Sequence, residues 1–365
     1  MDKYYVQIIA RNYLKNIVDV PDSIKVHERF LYGLTKEQFE EGFSALSNFT
    51  KELYNDIIEN PGDFGMLLKE IVEEDAKSPE YTNSNNSFLR VPYLLLILGV
   101  YSALESDMTM TIDSDTLMAK AKLLKISQVP FLLNKLTDYG FEISDFGKTP
   151  QPGTVLSLSY PDNRFLAAAL KAMAEAYLEL GKGDLKNKMD TYFFMLHPGI
   201  LENEKVKEPK LAIDDFIHTL NMEQRKQALA LHDSVADITK QKIRVGGFMR
   251  NDWSYTYTDN FSKKVLMTLQ INQASFSIKL NLQHIGQFIT LTNDMPDYIK
   301  NSLTNNGWDC GGCNPRCSGG FAFELNNTAY NKCHCGSFVF SDLVEENINS
   351  CKKLLAEEIE YRKKT

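Results

Sequence analysis

No cysteine precedes position 310 in this chain of 365 residues, so no disulfide or thiolate site can form in its first four-fifths. Long apolar runs are also missing. The longest spans 91–101, well short of the roughly 20 residues that a bilayer-spanning helix requires, and it is expected to be a core helix. The first residues carry no apolar signal core and no small-residue cleavage site, which predicts a cytoplasmic chain with reduced thiols rather than a disulfide framework. Excess positive charge is absent: the net charge is −8, and residues 241–365 hold 14 Lys/Arg against 12 Asp/Glu, leaving 26 against 36 in residues 1–240. Neither part reads as a general phosphate binder. There is no H-E-x-x-H, no phosphate-binding glycine loop, no Ser/His/Asp order and no paired-carboxylate motif, which weighs against an enzyme.

The informative stretch lies near the C-terminus. Cys310, Cys313 and Cys317 form C-x2-C-x3-C, with Gly311, Gly312 and Pro315 supplying turn chemistry that lets backbone curl around a common centre. Cys333, His334 and Cys335 follow in a strand-like pattern, where alternate residues point to one face. Five thiols and one imidazole thus compete for four tetrahedral places. The expected ligands are Cys310, Cys313, Cys317 and Cys333, with Cys335 next in line, and the expected metal is zinc. An iron–sulfur cluster is the lesser alternative because the second gap is three residues rather than two, and a set of unliganded thiols is the bland one. A site saturated with thiolates is normally structural, since catalytic zinc keeps a position open for water.

Helical periodicity governs the first half. Thr35 and Gln38 have capping-box spacing, and Phe39, Phe43, Leu46, Phe49, Leu53 and Ile57 follow on one face until Pro61 and Gly62 stop the helix. A second helix is predicted over 64–74, a polar connector without packing content over 78–87, and an apolar helix over 88–104. Asp113 opens the next helix. Another follows with Ser127 as cap, Pro130 in its first turn and Gly140 as its stop, and then two strand-like runs at 141–146 and 154–160. Three helices and a hairpin resemble a winged helix, whose third helix would face a DNA groove with Gln128, Asn134 and Lys135. That helix has no arginine, and residues 113–160 balance five Lys against five acidic residues, so a protein contact is expected in preference to DNA.

Helices are also predicted over 165–180, 186–196, 213–218 and 223–237, with a domain boundary at 238–242. Beyond it the period becomes alternating: strands at 265–271 and 275–282, a helix over 294–305, strands at 321–325, 329–333 and 337–340, and a closing helix from 342. The expected fold class is α+β. Its parts are a helical region over 1–87, the winged-helix-like module over 88–160, a helical region over 161–240 and a cysteine-rich α+β domain over 241–365. Trp253, Tyr255, Tyr257 and Trp308 are the candidate walls of a ligand pocket in that last domain, against the plainer reading that they fill its core.

The run Gly307-Trp-Asp-Cys-Gly-Gly-Cys-Asn-Pro-Arg-Cys317, with Phe-Ala-Phe-Glu-Leu, Tyr330-Asn-Lys-Cys and a terminal amphipathic helix, resembles the cysteine-rich end domain of uncharacterised bacterial proteins. Its α+β layout is similar to small-molecule-binding domains of the gyrase-inhibitor type, and residues 88–160 are similar to winged-helix bacterial regulators. The resemblance implies a cytoplasmic regulator or binding protein with a ligand-sensing C-terminal domain and a small-molecule effector or protein partner. The alternatives are a winged-helix DNA-binding transcription regulator and a zinc-dependent or thiol-redox enzyme.

Overall fold

The computed structural model describes residues 2–364 except 73–77, 145–151, 186–190, 248–251, 273–274, 312–319, 334–335 and 342. The chain is α+β and divides into two compact units, Met1–Lys210 and a second made of Leu211–Gly247 with Asn251–Thr365.

The first unit opens with α1 (Tyr5–Asn16), α2 (Lys36–Glu59) and α3 (Pro79–Tyr101). Thr35 and Gln38 close the capping box: the Gln38 N–H donates to Thr35 Oγ1 at 3.3 Å and the Thr35 N–H to Gln38 Oε1 at 2.9 Å. The α2 aromatic and aliphatic stripe is buried as its spacing predicts. Two expectations fail nearby. Residues 65–72 do not make the helix expected over 64–74, of which 73 and 74 lie outside the described residues. A 3-10 turn over Pro61–Phe64 runs into Gly65 at φ 58°, and the chain then extends beside the N-terminus, with Tyr5 N–H donating to Lys69 O at 3.0 Å and Ile71 N–H to Lys3 O at 3.1 Å. The polar stretch 78–87 is not a connector but the start of α3. Ser78 Oγ accepts from Tyr81 N–H at 3.1 Å, Pro79 fills the first helical position, and Tyr81, Ser84 and Phe88 are buried along one face. The cap and the proline outweigh the weak helix propensity of the Asn/Ser run.

Next come β1 (Ala103–Leu104), β2 (Met110–Asp113), α4 (Ser114–Leu123), α5 (Val129–Thr137), β3 (Glu142–Ser144) and β4 (Val155–Ser159). The strands form one antiparallel sheet in the order β1-β2-β4-β3. Asp113 caps α4 through Thr116 N–H at 2.8 Å. Ser127 does not cap α5. The cap position is Gln128, in the left-handed region at φ 60°, and the Ser127 hydroxyl instead accepts from Arg90 Nη1 at 3.2 Å. Helices α6 (Leu166–Leu180) and α7 (Thr191–Phe194) complete the unit, α6 burying an alanine-rich surface.

The second unit begins with α8 (Ile213–Ile217) and α9 (Met222–Val235), ahead of the change of period at 238–242 that marked the expected boundary. Both helices pack on the sheet that follows: Phe216 meets the Trp253 ring edge-on at 6.4 Å, and His232 stacks on Tyr255 at 5.8 Å. That sheet is antiparallel and five-stranded. Its strands are β5 (Thr239–Gly247), β6 (Asp252–Asp259), β7 (Val265–Asn272) and β8 (Ser275–Leu280), and after α10 (Ile285–Phe288), α11 (Asp297–Asn305) and the separate hairpin of β9 (Gly320–Leu325) and β10 (Thr328–Cys333) comes β11 (Phe338–Phe340). The order is β11-β8-β7-β6-β5. α12 (Glu345–Arg362) closes the chain. One face of the sheet carries Trp253, Tyr255, Tyr257, Leu269, Ile271, Ile278 and Phe340, all buried. The opposite face is polar.

Candidate functional site

Two of the cysteines expected as ligands, Cys310 and Cys333, lie at the β9–β10 hairpin. The segment 308–310 lies antiparallel to β10: Cys310 N–H donates to Asn331 O at 2.9 Å, Cys333 N–H donates to Trp308 O at 2.7 Å, and Asp309 sits opposite Lys332. Strand alternation therefore puts Cys310 and Cys333 on one face and Asp309 and Lys332 on the other. On the far side of β10 the residue paired with Cys333 is Gly320. A Cβ at Gly320 would lie 2.6 Å from the Cys310 Cβ and would also collide with Lys332 O, so only glycine lets the first cysteine close over the hairpin. Gly336 N–H turns back to Cys333 O at 2.9 Å, and a Cβ at Gly336 would lie 3.1 Å from the Trp308 backbone nitrogen.

A buried lysine fixes the segment from behind. Lys332 is 3% exposed, and its Nζ donates to Thr304 O at 2.9 Å and to Asp309 Oδ1 at 2.8 Å, tying the end of α11 to the residue before Cys310. Cys310 is half-buried and Cys333 buried. Cys313, Cys317, Cys335 and His334 lie outside the described residues, and among the described residues no three His, Cys, Asp or Glu side chains come together. Cys310 and Cys333 are thus carried by segments held side by side. Cys351 stands apart, buried on α12, and burial pushes its thiol up to about 12, where it is a small protonated hydrophobe.

The four candidate pocket aromatics are not brought together. Trp253, Tyr255 and Tyr257 are buried beneath α8 and α9, whereas Trp308 is 70% exposed on the hairpin. Burial raises the Tyr257 hydroxyl above the ordinary tyrosine range, and His232 Nδ1 lies 3.0 Å from it. Two open, polar clefts adjoin α12. One of about 410 Å³ is lined by Asn221, Gln224, Gln227, Phe276 and Val344 among others, and one of about 490 Å³ by Asp294, Glu345, Glu346 and Lys353 among others. None of the four aromatics lines either.

Of the three candidate base readers on α5, two are engaged within the protein. Gln128 Oε1 accepts from Arg90 Nη1 at 2.8 Å, and Lys135 Nζ pairs with Asp138 at 2.8 Å while lying 5.5 Å over the Phe64 ring. Asn134 is exposed, and so is Phe131.

Sequence reasoning missed a buried ion cluster in the second unit. Arg362 Nη1 meets Asp259 at 2.7 Å and its Nε meets Glu358 at 2.8 Å, with all three side chains at most 1% exposed. Glu358 also accepts from the N–H groups of Gln283 at 3.2 Å and His284 at 2.9 Å. Its only trace in the sequence is the i, i+4 spacing of Glu358 and Arg362, which reads equally as a solvated helix face.

No protein family model matches the chain, and no curated protein or solved structure matches it. No described helix is long and apolar enough to cross a membrane.

Proposed function

We propose that the chain is a cytoplasmic, non-enzymatic binding or regulatory protein whose C-terminal unit is pinned by a structural zinc site. The observation that carries this reading is the placement of Cys310 and Cys333 on one face of adjoining segments, closed over Gly320 and braced by Lys332. Cys313 and Cys317 supply the remaining two ligands from the same stretch, with Cys335 next in line. Zinc here cross-links the segments that flank the hairpin, and its binding free energy is folding free energy because the unfolded chain holds no preformed ligand set. Elemental analysis of protein purified without added metal tests the reading. About one zinc per chain is expected; iron would move the site to redox chemistry, and no metal would leave a cluster of free thiols and contradict it. The sensing of a small effector is not carried into this reading, because three of the four aromatics that suggested it are core residues.

A second reading concerns the module of α3, β2, α4, α5 and the β3–β4 hairpin. The order of these elements and the pairing of β2 with β4 support a winged-helix-like arrangement. The exposed Phe131 and the engagement of Gln128 and Lys135 support a protein partner over DNA. A nanomolar, salt-dependent complex with promoter fragments that is lost on Asn134→Ala would contradict it.

A further inference from the structure

The polar face of the five-stranded sheet segregates charge in a way the composition hides. On β5, the free edge strand, Lys240, Lys242 and Arg244 alternate onto this face and are exposed. Opposite them on β6 lie Thr258, Thr256 and Ser254. The rows continue across the sheet. Arg244 and Ser254 lead to Gln270 and Ser277, and Lys242 and Thr256 lead to Thr268 and then Lys279, with Thr268 Oγ1 donating to Thr256 Oγ1 at 3.4 Å. Among the described residues of the face the one carboxylate is Asp252, at the end of β6. Nor does any of the four cations make an ion pair or side-chain hydrogen bond among the described residues. Elsewhere in the unit the cations are mixed with acids: Lys300 pairs with Asp297 at 3.4 Å and Lys363 with Glu360 at 2.6 Å, while Lys226 and Lys353 are exposed without an ion pair among the described residues. Four uncommitted cations on one face of a chain with net charge −8 amount to a segregated positive surface.

Its chemistry selects a partner. Cations two residues apart on a strand are about 6.6–6.8 Å apart, commensurate with the step between successive phosphates of an extended polynucleotide. The Ser, Thr and Gln side chains between the cation rows are neutral donors of the kind that bind phosphate oxygens and fix a strand without reading its bases. Among the described residues no aromatic side chain lies on this face for bases to stack on, and no described element projects from it to enter a groove. We propose that this face binds a single-stranded nucleic acid through its phosphate backbone, without sequence preference. The proposal is independent of the zinc site. The plainer account is that the cations only protect an edge strand from pairing with another chain.

The test uses the full-length protein and fluorescence anisotropy of a labelled oligothymidylate about 20 nucleotides long, titrated at several salt concentrations. A complex at low salt is expected, with log K falling against log salt at a slope of about −3, as four contacts to a single strand require. Replacing Lys240, Lys242, Arg244 and Lys279 by Gln together should weaken binding about tenfold or more and flatten that slope. Replacing Lys226, Lys353, Lys363 and Lys364, which are exposed elsewhere in the unit, changes net charge equally and should leave binding within about twofold. Tryptophan fluorescence checks that each variant is folded, since both tryptophans, Trp253 and Trp308, belong to this unit. Three results would each overturn the proposal: no salt-dependent complex, equal loss in the control variant, or displacement by polyglutamate more readily than by unlabelled oligonucleotide, which would assign the face to an acidic protein.

Discussion

Each unit buries a guanidinium, and the two solve its charge in opposite ways. Arg90, on α3, is surrounded by neutral acceptors: the carbonyls of Ser87, Phe64 and Gly65 at 3.0, 3.3 and 2.7 Å, Ser127 Oγ at 3.2 Å and Gln128 Oε1 at 2.8 Å. Burial lowers its pKa below the ordinary arginine value. Arg362, on α12, is clamped between Asp259 and Glu358 and also donates to Val265 O at 3.1 Å and Asn281 O at 2.6 Å. Both act as struts: one ties α3 to the start of α5 and the turn before it, the other ties the last helix to strand ends. They differ in what they leave behind when removed. The first leaves polar groups that water can satisfy after small shifts, whereas the second leaves two buried carboxylates stripped of their guanidinium, with the His284 ring 3.0 Å from Glu358.

That contrast orders the expected effects. Arg362→Ala should cost the second unit about 3–5 kcal/mol, measured by tryptophan-detected urea unfolding, because the two carboxylates remain in the core without their guanidinium. A loss near 1 kcal/mol would mean that the cluster is solvated in solution. Arg90→Met should cost the first unit about 1–3 kcal/mol by far-UV circular dichroism, since only neutral acceptors lose a donor. If it proves as costly as Arg362→Ala, the distinction between the two struts collapses.

Acid sharpens the same comparison. Burial by itself would raise the Asp259 pKa, but hydrogen bonds from Arg362 and Ser262 overcome it and hold the carboxyl below its usual range. In the unfolded chain the same carboxyl takes up a proton near about pH 4, so below that pH the unfolded state binds more protons than the folded one and stability falls. The contribution of Asp259 is complete above about pH 5 and is lost as pH drops through the depressed folded value. Tryptophan-detected stability should thus decline below about pH 4, and Asp259→Asn should start lower and show a shallower acid limb. The smallest effect belongs to Trp308→Ala, within about 0.5 kcal/mol, because the indole is 70% exposed. A cost of several kcal/mol would place Trp308 in a buried contact.

Much of the fold was legible because its signals are local. The Thr35 capping box, the Asp113 cap, the stop at Gly140 and the alternation through 265–280 are each decided within a few residues of chain. What was not legible depends on partners far away in sequence. Residues 66–71 carry apolar side chains that permit a helix, and only pairing with residues 3–5 decides for extended chain. Trp253, Tyr255 and Tyr257 alternate as pocket or core residues do, and α8 and α9 decide between the two. At the cysteines, spacing put forward Cys310, Cys313, Cys317 and Cys333, with Cys335 next, while the brace from Lys332 and the clearance at Gly320 needed the hairpin register. The count of 14 cations to 12 acidic residues over 241–365 likewise averaged away a basic sheet face, because a strand sorts its side chains by parity, which a net count ignores.

Whether a thiolate site holds the second unit together, as proposed above, is decided by thermal unfolding with and without a strong chelator. Tryptophan fluorescence reads the second unit alone, because Trp253 and Trp308 are the chain's two tryptophans, while far-UV circular dichroism reads both units. Chelation should lower the tryptophan-detected midpoint by about 10 °C or more, while the helical signal of Met1–Lys210 keeps its own transition. Superimposable tryptophan-detected curves in the two conditions would contradict it.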